Sequence, residues 1–405
     1  MKNAFPVSLS VALLGWIGLV PAVFGGTAAK DTIQRQFTVT PGSRLIVDAD
    51  TGDLELKAGE TSEFKITIVR EVHCATEAEG KKALADHQIT FDQTGDTVTV
   101  KATNPSLLGK ARIFNNPGFQ VHYTLVVPNQ TRAELKTSGG KIVVGDLTGE
   151  LTGHTSGGDI QVATFQGPMV LVTSGGGIHV KAAAKSDLST SGGDIVAGQI
   201  SGSLNARTSG GGIEVGDVRG SAEVKTSGGD IKLGKIGGAV KAHTSGGGLR
   251  LTSVDGEAIL ETSAGDIHVD QANQSLRAST SGGGIHVGHA AGPVDLKTSA
   301  GDITITEAAG SVQGHTSGGG IRVNLSKTEA SQVSLSTSGG DIHLSLPTGA
   351  KYDIDAHASG GDVTTDLPVT ITGKQSDGTL KGQFNGGGQP LRLKTSGGNI
   401  RIKPI

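Results

Sequence analysis

From about residue 137 onward, apolar and polar residues alternate in short runs that stop at glycine. Ile231 and Leu233 flank Lys232, Val240 and Ala242 flank Lys241, and Thr244 follows His243. A period of two predicts short strands with one buried face. Glycines such as Gly237, Gly238, Gly246 and Gly247 end these strands and predict corners, with backbone angles closed to other residues. Two strands and two corners fill one unit. The unit recurs: Thr137, Thr155, Thr173, Thr190, Thr208, Thr226, Thr244, Thr262, Thr280, Thr298 and Thr316 each open Thr-Ser-Gly-Gly or Thr-Ser-Ala-Gly, at ten intervals of which nine are 18 residues and one is 17. Looser copies follow at Thr337, Ala358 and Thr395. A polar linker has no reason to hold Ile, Val and Leu in one phase for so long, so the repeat predicts stacked coils.

Two finer patterns run at twice the unit length. Two and four residues before each threonine, large and small side chains exchange places: Leu204/Ala206, Ala222/Val224, Val240/Ala242, Ala258/Leu260 and Leu276/Ala278. In a stack, a large side chain would lie over a small one, filling a narrow interior without voids. After the glycines, Asp stands at 159, 194, 230, 266 and 302, and Gly at 177, 212, 248, 284 and 320. With 18 residues per coil, this alternation keeps carboxylates off neighbouring rungs about 4.8 Å apart, where like charges repel. With 36 per coil, it would place aspartates on one edge and glycines on the other. The 18-residue coil is favoured, and ten such rungs would rise roughly 48 Å. The expected fold is all-β: a parallel β-solenoid, or β-helix, capped at both ends so that its terminal edges do not invite pairing.

Four segments are expected. Residues 1–29 read as a signal peptide, because Lys2 precedes an apolar stretch from Val7 to Phe24 that ends in small residues, with cleavage near Ala28 or Ala29. Residues 30–136 read as a β-rich cap with strand-like runs at Ser43–Val47, Glu63–Val69, Thr97–Lys101 and Val121–Val127 and one helix near Thr76–His87. Residues 137–342 are the regular solenoid, and 343–405 hold looser repeats and a closing cap. A retained membrane anchor is the alternative to cleavage. After cleavage no stable span would remain, and the protein would be periplasmic, displayed on the cell surface or secreted.

Composition adds constraints. Glycine supplies 65 of 405 residues and aromatics only 3%, so the core is built of small and β-branched side chains. Trp16, the only tryptophan, lies in the signal segment, which weakens any sugar-stacking role. Cys74, the only cysteine, cannot form an internal disulfide and is expected to be buried. A formal charge of −3 with no long basic run argues against nucleic acid as a partner.

The strand Val121-His-Tyr-Thr-Leu-Val-Val-Pro128, the repeated Thr-Ser-Gly-Gly-Asp-Ile and the closing Gly386-Gly-Gly-Gln-Pro-Leu-Arg-Leu-Lys-Thr-Ser-Gly-Gly-Asn-Ile400 resemble a bacterial putative-adhesin family of exported β-strand-repeat proteins, a domain of unknown function. The resemblance covers about residues 38 to 405. It implies a parallel β-helix-like exported domain with a surface or adhesive role, and it carries no active-site residues.

Candidate chemistry is sparse. Gly-Gly-Asp copies invite comparison with calcium-binding toxin repeats, but the aspartate comes once per two units, and calcium needs six to eight oxygens, so capping of the turn by the Asp side chain is favoured. His268 and His286 match after the repeat isoleucine, His243 and His315 match before the threonine, and His289 is near His286, with no carboxylate recurring beside them as a metal site would need. No cofactor is expected. With 36 residues per coil, Arg207, His243, Arg250, His286, His315 and Arg322 would gather, interrupted by Glu214, into a mildly basic stripe able to hold an anionic envelope polymer; an ordinary solvated face is the plainer reading. A polysaccharide lyase or glycosidase is the main rival. Such a site interrupts a repeat, and the irregular places (Asn104–Pro117, Asn324–Ser331, Pro368–Gln389) hold no credible acid/base pair. The sequence therefore points to a non-catalytic exported cell-envelope protein with an adhesin-like or scaffolding surface, its partners envelope polysaccharide or surface proteins. A periplasmic protein acting in envelope homeostasis is the third reading.

Overall fold

A computed structural model of the chain describes residues 27–60, 62–74, 76–103, 118–328, 331–372 and 376–405. The apolar N-terminal stretch and the irregular segment Asn104–Pro117 therefore fall outside the described residues. The coil is 18 residues: Ile213 pairs with Ile231, Ile231 with Leu249 and Leu249 with Ile267, all in parallel register. A second strand of each coil stacks in the same way, Ala222 on Val240 and Val240 on Ala258. The single 17-residue interval lies in a corner, because Phe165 still pairs with Ala183 across 18 residues while Met169 pairs with Ser186 across 17. A one-residue slip inside a strand would have turned every core side chain outward. In a corner it costs only a tighter bend.

The interior fills as the size pattern predicts. Leu204, Ala222, Val240, Ala258 and Leu276 form one column and Ala206, Val224, Ala242, Leu260 and Ala278 the column beside it, all buried. Large lies over small from rung to rung, as close packing requires.

The repeat threonine, polar yet buried, is explained by its hydrogen bonds. Thr226 Oγ1 donates to the Gly211 carbonyl of the preceding rung at 2.8 Å and accepts from the Gly229 N–H of its own turn at 3.4 Å. The pattern repeats at Thr244 and Thr262. Thr226→Val keeps the shape but leaves a half-buried carbonyl and a half-buried amide without their partner, at about 1–3 kcal/mol. Thr226→Ser should recover most of that loss in urea unfolding, and equal loss from both variants would refute the hydrogen-bond account.

The motif glycines act differently from the expectation. Gly237, Gly238, Gly246 and Gly247 are not in the left-handed region; among the described residues the positive-φ glycines are Gly42, Gly52, Gly95, Gly149, Gly167, Gly386 and Gly387. Close stacking of backbone is what demands glycine. A Cβ on Gly176 would collide with the Gly158 carbonyl below it, whereas one on Gly175 would lie 3.5 Å from its nearest neighbour, the Gly157 oxygen. The first position accordingly accepts Ala264 and Ala300, and the second is always glycine.

At the N-terminal end, β1 (Thr27–Thr38), β2 (Arg44–Ala49), β3 (Asp53–Gly59), β4 (Glu63–Cys74), α1 (Glu77–Asp86), β5 (Gln88–Thr94), β6 (Thr97–Thr103), β7 (Phe119–Pro128), β8 (Gln130–Lys136) and β9 (Ile142–Val144) follow in order. The predicted helix is present, started by a capping box between Thr76 and Glu79. Buried Arg70 ties it down, binding both Asp31 carboxylate oxygens and the carbonyls of Leu84 and His87. Cys74 is half-buried, against the expectation of full burial, with Sγ 3.1 Å from the Thr76 carbonyl. Ala28 and Ala29 lie in β1, paired with His73 and Val72, so cleavage at either would shorten that strand.

β2 and β3 form a rung that the repeat search does not find. Leu45 pairs with Ala133 on one side and Val98 on the other, and Leu54 likewise lies between Ile142 and Tyr123. Ala49-Asp50-Thr51-Gly52-Asp53 occupies the place of Thr-Ser-Gly-Gly-Asp: Thr137 Oγ1 donates to the Gly52 carbonyl at 2.9 Å, and Asp53 Oδ1 accepts the Lys141 N–H at 2.9 Å. The C-terminal end is interleaved in the same sense. Strand Gln389–Thr395 lies between Val333–Ser336 and Tyr352–Ala358, and Ile400–Pro404 between Ile342–Leu346 and Val363–Thr365.

Candidate functional site

The turn aspartates are held by backbone. Asp230 Oδ1 accepts the Gly248 N–H of the next rung at 2.8 Å, and Asp266 and Asp302 do the same for Gly284 and Gly320. The carboxylate thus caps the adjacent rung instead of its own turn. This bond gives the Asp/Gly alternation a second cause beyond charge repulsion. Among the described residues no group of three or more His, Cys, Asp or Glu side chains is placed to hold a metal ion.

With an 18-residue coil, the six residues of the anticipated basic stripe separate into two columns on opposite sides of the Thr-Ser-Gly-Gly turn. Arg207, His243 and His315 lie in the column just before the threonine, where Lys225, Glu261, Ser279 and Lys297 intervene. There Arg207 pairs with Glu223 at 3.2 Å and His243 with Glu261 at 3.5 Å. Arg250, His286 and Arg322 lie in the column after the repeat isoleucine, which also takes in residues the stripe omitted. Stacked upward, Lys232 is followed by Arg250, His268 and His286. Thr304, Arg322, His343 and Arg401 continue it. That column runs eight rungs without an acid.

At its centre the His268 and His286 rings stack with centroids 4.8 Å apart and planes 12° from parallel. Single carboxylates stand beside two of the histidines without forming a metal-holding group among the described residues: Asp270 Oδ1 is 2.7 Å from His268 Nε2, and Glu307 is 3.2 Å from His289. Asp270 also reaches Arg250 at 3.8 Å. Partial burial lowers the His286 pKa, the neighbouring His268 lowers it further, and Asp270 opposes both. Lys232 and His343 were missed because the stripe was assembled on a 36-residue coil, and Arg401 because its rung stacks on that of His343 out of chain order. Their signal was simply their position one residue after Ile231, Ile342 and Ile400.

On the other strand face, a shallow depression is lined by Lys185, Asp187, Asn205, Glu223, Lys241 and Ile259 among others. Two of its acids are engaged: Asp187 accepts from Asn205 at 3.1 Å and Glu223 from Arg207 at 3.2 Å.

These features define a capped parallel β-solenoid whose outward side chains form rung-by-rung columns. The chain belongs to the Toastrack DUF4097 family, which it matches over residues 42–290 and again over 238–403. No curated protein matches it by sequence. Among solved structures it is similar to a putative cell adhesion protein from Clostridium sporogenes, at 9% identity and TM-score 0.18, covering 93% of this chain and 100% of that one. It is also similar to a putative adhesin from Bacteroides fragilis, at 12% identity and TM-score 0.18 over 93% and 98% of the two chains. A putative adhesin from Parabacteroides merdae shares 16% identity at TM-score 0.26 over 68% and 95%.

Proposed function

We propose that this chain is a non-catalytic, exported cell-envelope protein whose solenoid serves as an adhesin-like or scaffolding surface. The observation that carries this reading is the regularity of the outward columns: charged residues stand at repeated positions, not in one singular cluster of the kind acid/base chemistry needs. The signal-like N-terminal sequence supports export. Among the described residues no helix is long and apolar enough to cross a membrane, which accords with the proposal that no span remains once the signal segment is removed. Similar structures whose names read putative adhesin or putative cell adhesion protein accord with a binding role. Purified protein lacking the signal segment should bind polymers from its own envelope saturably, with no release of reducing ends. Release of reducing sugar would overturn the reading in favour of an enzyme.

A further inference from the structure

We propose that the column after the repeat isoleucine is a binding track for a linear polysaccharide that carries one acidic group per disaccharide, engaged when the column's histidines are protonated. The inference rests on the binding-surface reading above and names its ligand class and its control.

Rungs of two kinds alternate along this face. On rungs whose turn carries Gly or Asn, the column presents Arg250, His286, Arg322 and Arg401. On rungs whose turn carries Asp230, Asp266, Asp302 or Asp341, it presents Lys232, His268, Thr304 and His343. The first set recurs every second rung, about 9.6 Å at the usual strand spacing. A carboxylate-bearing sugar can face each cation of the first set. The sugar between can offer its hydroxyls to the turn carboxylate of the intervening rung, whose Oδ1 already takes a backbone N–H and whose other oxygen is left to accept. No Phe, Tyr or Trp side chain stands in the column, and its only rings, the imidazoles, stack on each other at His268 and His286, which separates this track from a single-stranded nucleic acid channel.

Fixed charges make the track conditional. Four permanent cations, Lys232, Arg250, Arg322 and Arg401, share these rungs with four turn carboxylates, Asp230, Asp266, Asp302 and Asp341, with Asp270 beside Arg250 and His268, and Asp366 3.7 Å from Arg401. His289 and Glu307 pair with each other at its edge. At neutral pH the face carries no excess of positive charge. Protonation of His268, His286 and His343 adds three charges and tips it, as an acidified surface layer would. The His286 pKa is already depressed, so acidification without ligand works against the fold at this site: the stability it contributes is present above the unfolded value near 6.5 and lost as pH falls. A bound polyanion reverses that tendency by favouring the imidazolium, and it should raise the pKa of His286.

The test uses the full chain without its signal segment and immobilised hyaluronate, with neutral dextran and oligothymidylate as comparisons, at about pH 5 and about pH 8, on either side of the imidazole range. The expected result is saturable hyaluronate binding at least about tenfold tighter at the lower pH, with little binding to dextran or oligothymidylate. A double variant R322E/R401E should lose about tenfold or more at low pH, and the triple variant H268Q/H286Q/H343Q should bind with a flat pH profile. A control, K225E/K297E, makes the same charge change in the other column and should bind as the parent does. Equal loss in the control, pH-independent binding, or tighter binding to oligothymidylate would overturn the track. Absence of hyaluronate binding at both pH values also overturns it, while saturable binding to a different envelope polymer would leave the broader surface reading standing.

Discussion

Gly176→Ala should destabilise the protein by roughly 3 kcal/mol or more, while Gly175→Ala, one residue earlier, should be neutral or slightly stabilising. The two glycines share a turn and both are free of positive φ, so intrinsic conformational freedom cannot separate them. What separates them is the rung below. The added methyl at 176 would meet the Gly158 carbonyl group and the Asp159 nitrogen, all backbone, and stacked backbone has nowhere to go. At 175 the nearest atom lies 3.5 Å away, an ordinary contact. Because each coil touches only its neighbours, the damage at 176 should appear as loss of coupling between two parts of the stack. Urea unfolding should therefore show a lower midpoint and a shallower or split transition for Gly176→Ala and a parent-like curve for Gly175→Ala. Comparable curves for both would refute the stacking explanation.

The second large effect is expected at the C-terminus, where truncation is ordinarily tolerated. Removing residues 389–405 should cost the folded state of the C-terminal rungs and cause aggregation, because those residues form an internal rung. Leu391, Leu393, Ile400 and Ile402 are all at most 1% exposed, and each contacts strands on both sides. The point variant Leu393→Ala tests the same idea more gently, with an expected loss of about 2–5 kcal/mol. Limited proteolysis and light scattering of the truncated chain would decide it. A truncated protein that stays monomeric with protease-resistant residues 333–365 would show that the last rung is dispensable.

The regular coils were legible because their residues obey a period. Isoleucines and valines in one phase, threonine before two glycines, and traded core sizes each repeat often enough to overdetermine the coil. The ends were less legible because their order in space differs from their order in the chain. Ala49-Asp50-Thr51-Gly52-Asp53 lacks the leading threonine, and its stacking partner is 88 residues away, so no search at a fixed spacing brings it forward. Thr395 was visible as a repeat, but nothing in its neighbourhood reveals that its rung inserts before that of Ala358. Strand β5 alternates weakly and is exposed on much of its length, which removes the buried face that pattern reading depends on. The surface columns failed for another reason. Outward residues need no period of their own, and only the coil length decides which of them become neighbours.

The bond from each turn aspartate to the glycine amide of the next rung constrains how such a protein can lengthen. Duplicating a single 18-residue unit would place aspartate over aspartate or glycine over glycine, losing a cross-rung bond or crowding two carboxylates about 4.8 Å apart. Duplicating 36 residues preserves the alternation, the core-size exchange and the spacing of cations on the outer face together. The natural genetic increment of this stack is therefore a pair of coils, and relatives of different length should differ by multiples of two rungs.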